Sequence, residues 1–214
     1  MRLFLSSYRS GKHSQALLGL VGKGTSFAYI SNSKDYKTPE DRKLKIDENF
    51  KYWRSIGLKP DEVDLRPYFD KPGAEKLLSK YSFIWLAGGN VFLLRRALRY
   101  SGAEKYLYDS VRKNEVILGG ESAGAIIMGP TLKYSEVEND LEDSQHYTPE
   151  PYDKEVIWEG LDLVNYVPVP HYKSDGYVGI DEYVKNLEKE KIPYKTMTDD
   201  QAILINGDKE EFLK

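Results

Sequence analysis

The chain has 214 residues, 31 basic and 34 acidic side chains, a net charge of −3 and no cysteine. The missing thiol excludes disulfides, thiolate metal sites and a cysteine nucleophile. So even a charge balance offers no electrostatic footprint for nucleic acid or an anionic membrane, and no apolar run approaches the ~18 residues of a bilayer span.

The length fits one α/β domain covering residues 1–214. The opening Met1-Arg2-Leu3-Phe4-Leu5-Ser6-Ser7-Tyr8 lacks the apolar length of a signal peptide, so a cytoplasmic protein is the default expectation. Leu3–Ser7 reads as a first strand, and Ser14–Val21 as a helix. Phe27–Ser31 is a second strand. The next helix has the clearest signals: Thr38 as N-cap, Pro39 at the first helical position and an acid behind it. Ile46, Phe50 and Trp53 then share one face, and Gly57 stops the helix. Val63–Leu65 and Phe83–Ala87 read as strands, Val91–Tyr100 and Ala103–Lys113 as helices, and Val116–Gly119 as a further strand. Lys133–Asp153 is acidic and without periodicity, with Glu136, Glu138, Asp140, Glu142 and Asp143 crowded together, and reads as a solvated loop or hairpin. A strand at Tyr166–Pro170, a helix at Tyr177–Lys189 and a last strand at Ala202–Asn206 follow, with Asp208–Lys214 as a short tail that suggests no carboxy-terminal extension. The alternation predicts βαβ units in a mainly parallel sheet flanked by helices on both faces.

The most informative run is Val116 to Ile127. It sets Gly120-x-Ser122-x-Gly124 where a buried strand ends and a small-residue helix begins. A serine on such a turn is forced into strained backbone, and glycines on either side make room for it. Its hydroxyl stands exposed above the sheet, and the following amides point at whatever it attacks. The pattern alone arises by chance in about one chain of this size in fifteen, so its strand-to-helix context is what marks Ser122 as a candidate nucleophile.

A serine nucleophile needs a base of near-neutral pKa, and three histidines are available. His171 ends the apolar run Val167-Pro168-Val169-Pro170. His13 begins the first predicted helix, and His146 lies in the acidic loop. Catalytic groups of open α/β sheets collect at carboxyl ends of strands, which favours His171, leaves His13 possible and makes His146 the weakest candidate. A third segment, Ala87-Gly88-Gly89-Asn90, follows a strand and opens a helix. Its glycines allow close backbone approach and Asn90 can cap the helix, so Gly88, Gly89 and Ala123 are the candidate oxyanion-hole positions. Asn90, Glu121 and Lys173 beside these segments are candidate substrate contacts.

With Ala87-Gly88-Gly89-Asn90, Gly120-Glu121-Ser122-Ala123-Gly124-Ala125 and Pro170-His171-Tyr172 in this order, the chain resembles the peptidase E family, the aspartyl dipeptidases and their relatives including cyanophycinases. The resemblance implies a flavodoxin-like fold of the class I glutamine amidotransferase kind, with serine replacing cysteine. It also implies cleavage beside the amino terminus of short peptides without metal or cofactor. A monomer or homodimer acting on a short peptide is the expected assembly. Carried over by motif, Ser122 is the nucleophile, His171 the base and the Gly89 amide an oxyanion donor. Two places compete for the triad acid. One is Asp140, in the Asn139-Asp140 pair. The other is Asp199 or Asp200, which are better fixed physically because they enter a buried strand. Selectivity for an acidic side chain needs a cation, preferably arginine. No arginine follows His171, where Lys173 and Lys185 stand, so altered substrate preference is expected. An esterase using the same turn and a non-catalytic binding protein are the competing readings.

Overall fold

A computed structural model of the chain describes residues 1–138 and 147–214. The central sheet has seven strands: β1 (Arg2–Ser6), β2 (Ser26–Ile30), β3 (Lys59–Val63), β4 (Phe83–Leu86), β5 (Ile117–Glu121), β8 (Ala202–Asn206) and β9 (Lys209–Leu213). They are ordered β3-β2-β4-β5-β1-β8-β9. The first five in that order run parallel, and β8 and β9 close the edge antiparallel. The helices are α1 (Ser14–Val21), α2 (Pro39–Ser55), α3 (Ala74–Leu78), α4 (Val91–Tyr100), α5 (Ala103–Arg112), α6 (Ala123–Ile126) and α7 (Ile180–Lys189). None is long and apolar enough to cross a membrane.

Strand alternation builds two cores. Leu3, Leu5, Ala28, Ile30, Ile84, Leu86 and Leu118 face one layer with α4 and α5, while Phe4, Phe27, Tyr29, Phe83, Trp85 and Ile117 face the other with α1 and α2. Period-two patterning with apolar residues on both faces is what a sheet covered on both sides requires. On the second face Trp53 and Trp85 are fully buried and meet edge to face at 4.6 Å. Gly119 makes space there: a Cβ would lie 2.4 Å from the Trp85 ring. The expected cap forms, with Thr38 Oγ1 accepting from the Asp41 amide.

Three expectations need correction. The run after Tyr166 does not join the central sheet: β6 (Val167–Val169) pairs in parallel with β7 (Tyr194–Thr196) as a separate two-stranded sheet. The tail after Ala202–Asn206 instead folds back through a two-residue turn at Gly207-Asp208 and becomes the edge strand β9. The third strand lies earlier than expected, at Lys59–Val63.

The parallel order places the carboxyl ends of β1, β2, β4 and β5 along one rim, where Ser7, Ser31–Lys34, Gly88-Gly89 and Ser122 emerge. Because β8 runs antiparallel to β1 with Ala202 opposite Ser6, the residues just before β8 reach the same rim. The β6–β7 ribbon, with Val169 opposite Thr196, delivers His171 and Asp199 together.

Candidate active site

Ser122 joins β5 to α6 with φ 50° and ψ −118°, a conformation that stores about 1–3 kcal/mol in a non-glycine residue. The surrounding contacts explain the glycines. A Cβ on Gly120 would lie 2.4 Å from the Gly124 carbonyl oxygen, and one on Gly124 would lie 2.1 Å from that of Leu86. The Ser122 amide donates to the Ser6 carbonyl at 3.1 Å, tying the turn to the end of β1. Its own carbonyl accepts from Ala125 and Ile126, which starts the short helix.

His171 is buried, with φ 58°. Its Nδ1 lies 2.7 Å from Asp199 Oδ1. Ser7, also buried, braces both partners: its hydroxyl donates to Asp199 Oδ1 at 2.7 Å and accepts from the His171 amide at 2.7 Å. An ionised Asp199 requires the imidazole proton on Nδ1, leaving Nε2 as a proton acceptor. Tyr177 stacks flat on the imidazole, ring centroids 3.6 Å apart and planes within 4°. Burial lowers the His171 pKa below its ordinary value, and Asp199 opposes that shift.

Ser122, His171, Gly88, Gly89, Glu121 and Tyr177 line one cavity of about 280 Å³, together with Arg9, Lys34, Lys37, Lys45 and Glu48. Gly89 has φ 143°, open only to glycine, and a Cβ there would lie 2.4 Å from the Ser33 carbonyl oxygen. Among the described residues, the amides of Gly89 and Ala123 donate to no other backbone carbonyl. No three His, Asp or Glu side chains among those residues gather as a metal-binding group.

The remaining candidates are dispersed. Asp200 is exposed and pairs with Lys12. Asn90 is buried; its Oδ1 caps α4 by accepting from the Leu93 amide at 3.0 Å. Lys173 is exposed and sits over the Tyr172 ring, away from the cavity lining. Glu121 is buried, and one carboxylate oxygen accepts from the Arg9 amide. His13 caps the start of α1 by position only, with no side-chain cap bond. Asp140 and His146 lie outside the described residues.

The sequence model of peptidase family S51 matches residues 16–213. The chain belongs to this peptidase E family. It is therefore a serine-type peptidase, acting on peptide bonds. The S51 chain is 26% identical to an uncharacterized peptidase of Listeria monocytogenes over 170 residues, covering 79% of this chain and 78% of that one. An uncharacterized peptidase of Pasteurella multocida is also 26% identical over 169 residues, 79% of this chain and 77% of its own. Among solved structures, a candidate peptidase E protein from Listeria monocytogenes superposes with a TM-score of 0.76 at 22% identity, covering 100% of this chain and 98% of the other. A peptidase from an acI-B1 Actinobacterium gives 0.65 at 14% identity, covering 100% and 90%. These two share the S51 fold.

Residues of this cavity not singled out in the sequence include Arg9, Lys34, Lys37, Lys45, Glu48 and Tyr177, and Ser7 behind His171 was not singled out either. Ser7 and Arg9 sit in the polar run after β1, and Lys34 in the polar run Ser31-Asn32-Ser33-Lys34-Asp35 after β2. A polar stretch leaving an apolar strand was the available signal, because neighbouring parallel strands release such stretches onto one rim.

Proposed function

We propose that this peptidase cleaves short peptides beside their amino-terminal residue through a Ser122–His171–Asp199 triad and an acyl-enzyme. The observation that carries the reading is the Asp199–His171 Nδ1 contact at 2.7 Å, with the same imidazole lining the cavity of Ser122 on its strained turn. His171 Nε2 takes the hydroxyl proton as Ser122 Oγ attacks the scissile carbonyl carbon. The carbonyl oxygen becomes an oxyanion held by the amides of Gly89 and Ala123. Collapse breaks the C–N bond, and His171 returns its proton to the leaving amine. Water, deprotonated by the same imidazole, then opens the acyl ester and frees Ser122.

A cavity of about 280 Å³ lies at the small end of ligand sites, roughly 300–1,000 Å³, which favours a short substrate. Apart from Lys34, whose ammonium is bonded to the Gly88 carbonyl, its lining carries the cationic Arg9, Lys37 and Lys45 against the carboxylates Glu48 and Glu121. That balance favours peptides with a carboxylate near the scissile bond, and it restores the cation that no arginine after His171 supplies.

The test is a panel of dipeptides and amino-blocked peptides with wild type, Ser122→Ala and His171→Ala. Hydrolysis of free short peptides, with acidic ones preferred, should fall by several powers of ten in either variant. Turnover retained by either one contradicts the assignment. Equal cleavage of blocked peptides contradicts the amino-terminal preference.

A further inference from the structure

Lys34 takes no part in the steps above, yet it is buried at the rim of the sheet, and its Nζ donates to the carbonyl oxygen of Gly88. Ser33 Oγ donates to the same oxygen at 2.8 Å. Gly88 backs onto the nucleophile: a Cβ there would stand 3.1 Å from Ser122 Cβ. The Gly88–Gly89 peptide is trans, and a planar trans unit carries its C=O and its N–H in opposite directions. Gripping the Gly88 oxygen therefore fixes where the Gly89 N–H points.

Two glycines in succession give this segment freedom to turn that peptide over, and the Ser33 hydroxyl alone would suffice as a neutral clamp. Using an ammonium instead is costly, since buried charge is penalised unless well partnered. Burial brings Lys34 down to about 8; Glu121 opposes the shift, while Lys37, Arg42 and Lys45 reinforce it. Among the described residues the ammonium donates to the Gly88 carbonyl and forms no ion pair, with Glu121 acting on it only from a distance. A charge-assisted bond to a carbonyl polarises the whole amide and strengthens the donor at its other end.

We propose that Lys34 is the positioning residue of the oxyanion site: its ammonium holds the Gly88–Gly89 peptide with the Gly89 N–H turned toward the attacked carbonyl and raises that amide's donor strength. The inference rests on the proposed role of Gly89. Lys34 acts through the peptide and not on the substrate, so it influences turnover more than binding. Its charge is also the one whose loss should appear in mildly alkaline solution. The groups that face it are Glu121 from the end of β5, Lys37 before α2, and Arg42 and Lys45 on α2, with Arg9, Glu48 and His171 across the cavity. Arg42, held above its ordinary range by Asp35, keeps its charge throughout, and Glu48 holds Lys45 above its ordinary range.

The experiment measures kcat and KM from about pH 6 to 10 on a short peptide that the wild type hydrolyses, for wild type, Lys34→Met, Lys34→Arg and Ser122→Ala, with melting temperatures alongside. Lys34→Met should fold and lower kcat by about 10²–10³, the loss typical of an oxyanion donor, while KM changes by less than about threefold. The wild-type kcat should fall as pH rises through about 8, the Met variant should lack that fall, and Lys34→Arg should recover part of kcat with the fall displaced upward. A folded Lys34→Met with kcat within about threefold of wild type overturns the inference, as does a loss confined to KM. If Lys34→Met does not fold, the wild-type profile decides: a kcat that stays level through pH 10 overturns it. A wild type inactive on every peptide, or an active Ser122→Ala, instead removes the peptidase reading and this inference with it.

Discussion

Replacing Asp199 with Asn removes one charge from beside His171 and leaves the shape nearly intact. Two unit charges about 4 Å apart attract by about 4 kcal/mol at an effective dielectric near 20. The Asp199 side chain is 37% exposed, so water screens that figure to roughly 1–2 kcal/mol. This corresponds to about one pH unit for the imidazole. The sign follows from the opposing influences on His171: burial lowers its pKa and Asp199 raises it, so the variant leaves burial unopposed and the value falls further. The acidic limb of kcat/KM against pH, where the base is lost to protonation, should therefore move down by about one unit. Turnover on the plateau should fall as well. An asparagine amide can donate to Nδ1 and drive the proton to Nε2, the tautomer that cannot accept from Ser122, and the comparable change in a serine protease triad costs about 10⁴. Ser7, still bonded to the His171 amide, preserves part of the alignment, so a loss between about 10² and 10⁴ is expected. The assay is a kcat/KM profile from about pH 4 to 9 on the best short peptide of the panel. A limb that stays in place or moves up, with turnover within about threefold of wild type, would refute the reasoning.

Three further outcomes follow from the same geometry. Ser7→Ala removes the hydroxyl that bridges Asp199 Oδ1 and the His171 amide, and should lower kcat about tenfold with KM little changed; an unaltered kcat would contradict its bracing role. Tyr177→Leu strips the aromatic face from the imidazole, so the acidic limb should drop by a fraction of a pH unit while Tyr177→Phe leaves it in place, as a titration of activity would read. Gly124→Ala drives a methyl to 2.1 Å from the Leu86 carbonyl oxygen and should destabilise the fold by more than about 3 kcal/mol in urea unfolding; near wild-type stability would contradict the packing of α6 on β4.

Much of this architecture was legible because local pattern and packing agree. Phe4 against Leu3 and Leu5, or Trp85 against Ile84 and Leu86, alternate as a sheet covered on both faces must, and the glycines at 120 and 124 are demanded by backbone contacts, Gly120 within the turn and Gly124 against the neighbouring strand β4. What escaped depends on long-range register. Ser7 meets His171 and Asp199 across 164 and 192 residues, and nothing near Ser7 in the chain announces those partners. The choice between Asp199 and Asp200 turns on which of two adjacent acids faces the β6–β7 ribbon; Asp199 does, while Asp200 faces Lys12 and solvent. The run Val167-Pro168-Val169 reads as a strand whether it joins the central sheet or not, so its departure into a separate ribbon left no mark in composition. Lys209–Leu213 is too polar and exposed to declare itself, being an edge strand with one neighbour.

The most direct test of the central claim is the intact mass and site of adduct formation after treatment with a fluorophosphonate. An activated serine beside a neutral imidazole should take up one phosphonyl group, mapped to Ser122, in wild type, with no adduct in Ser122→Ala and strongly slowed labelling in His171→Ala. A wild type that folds and stays unlabelled, or an adduct that persists at another residue in Ser122→Ala, would contradict it.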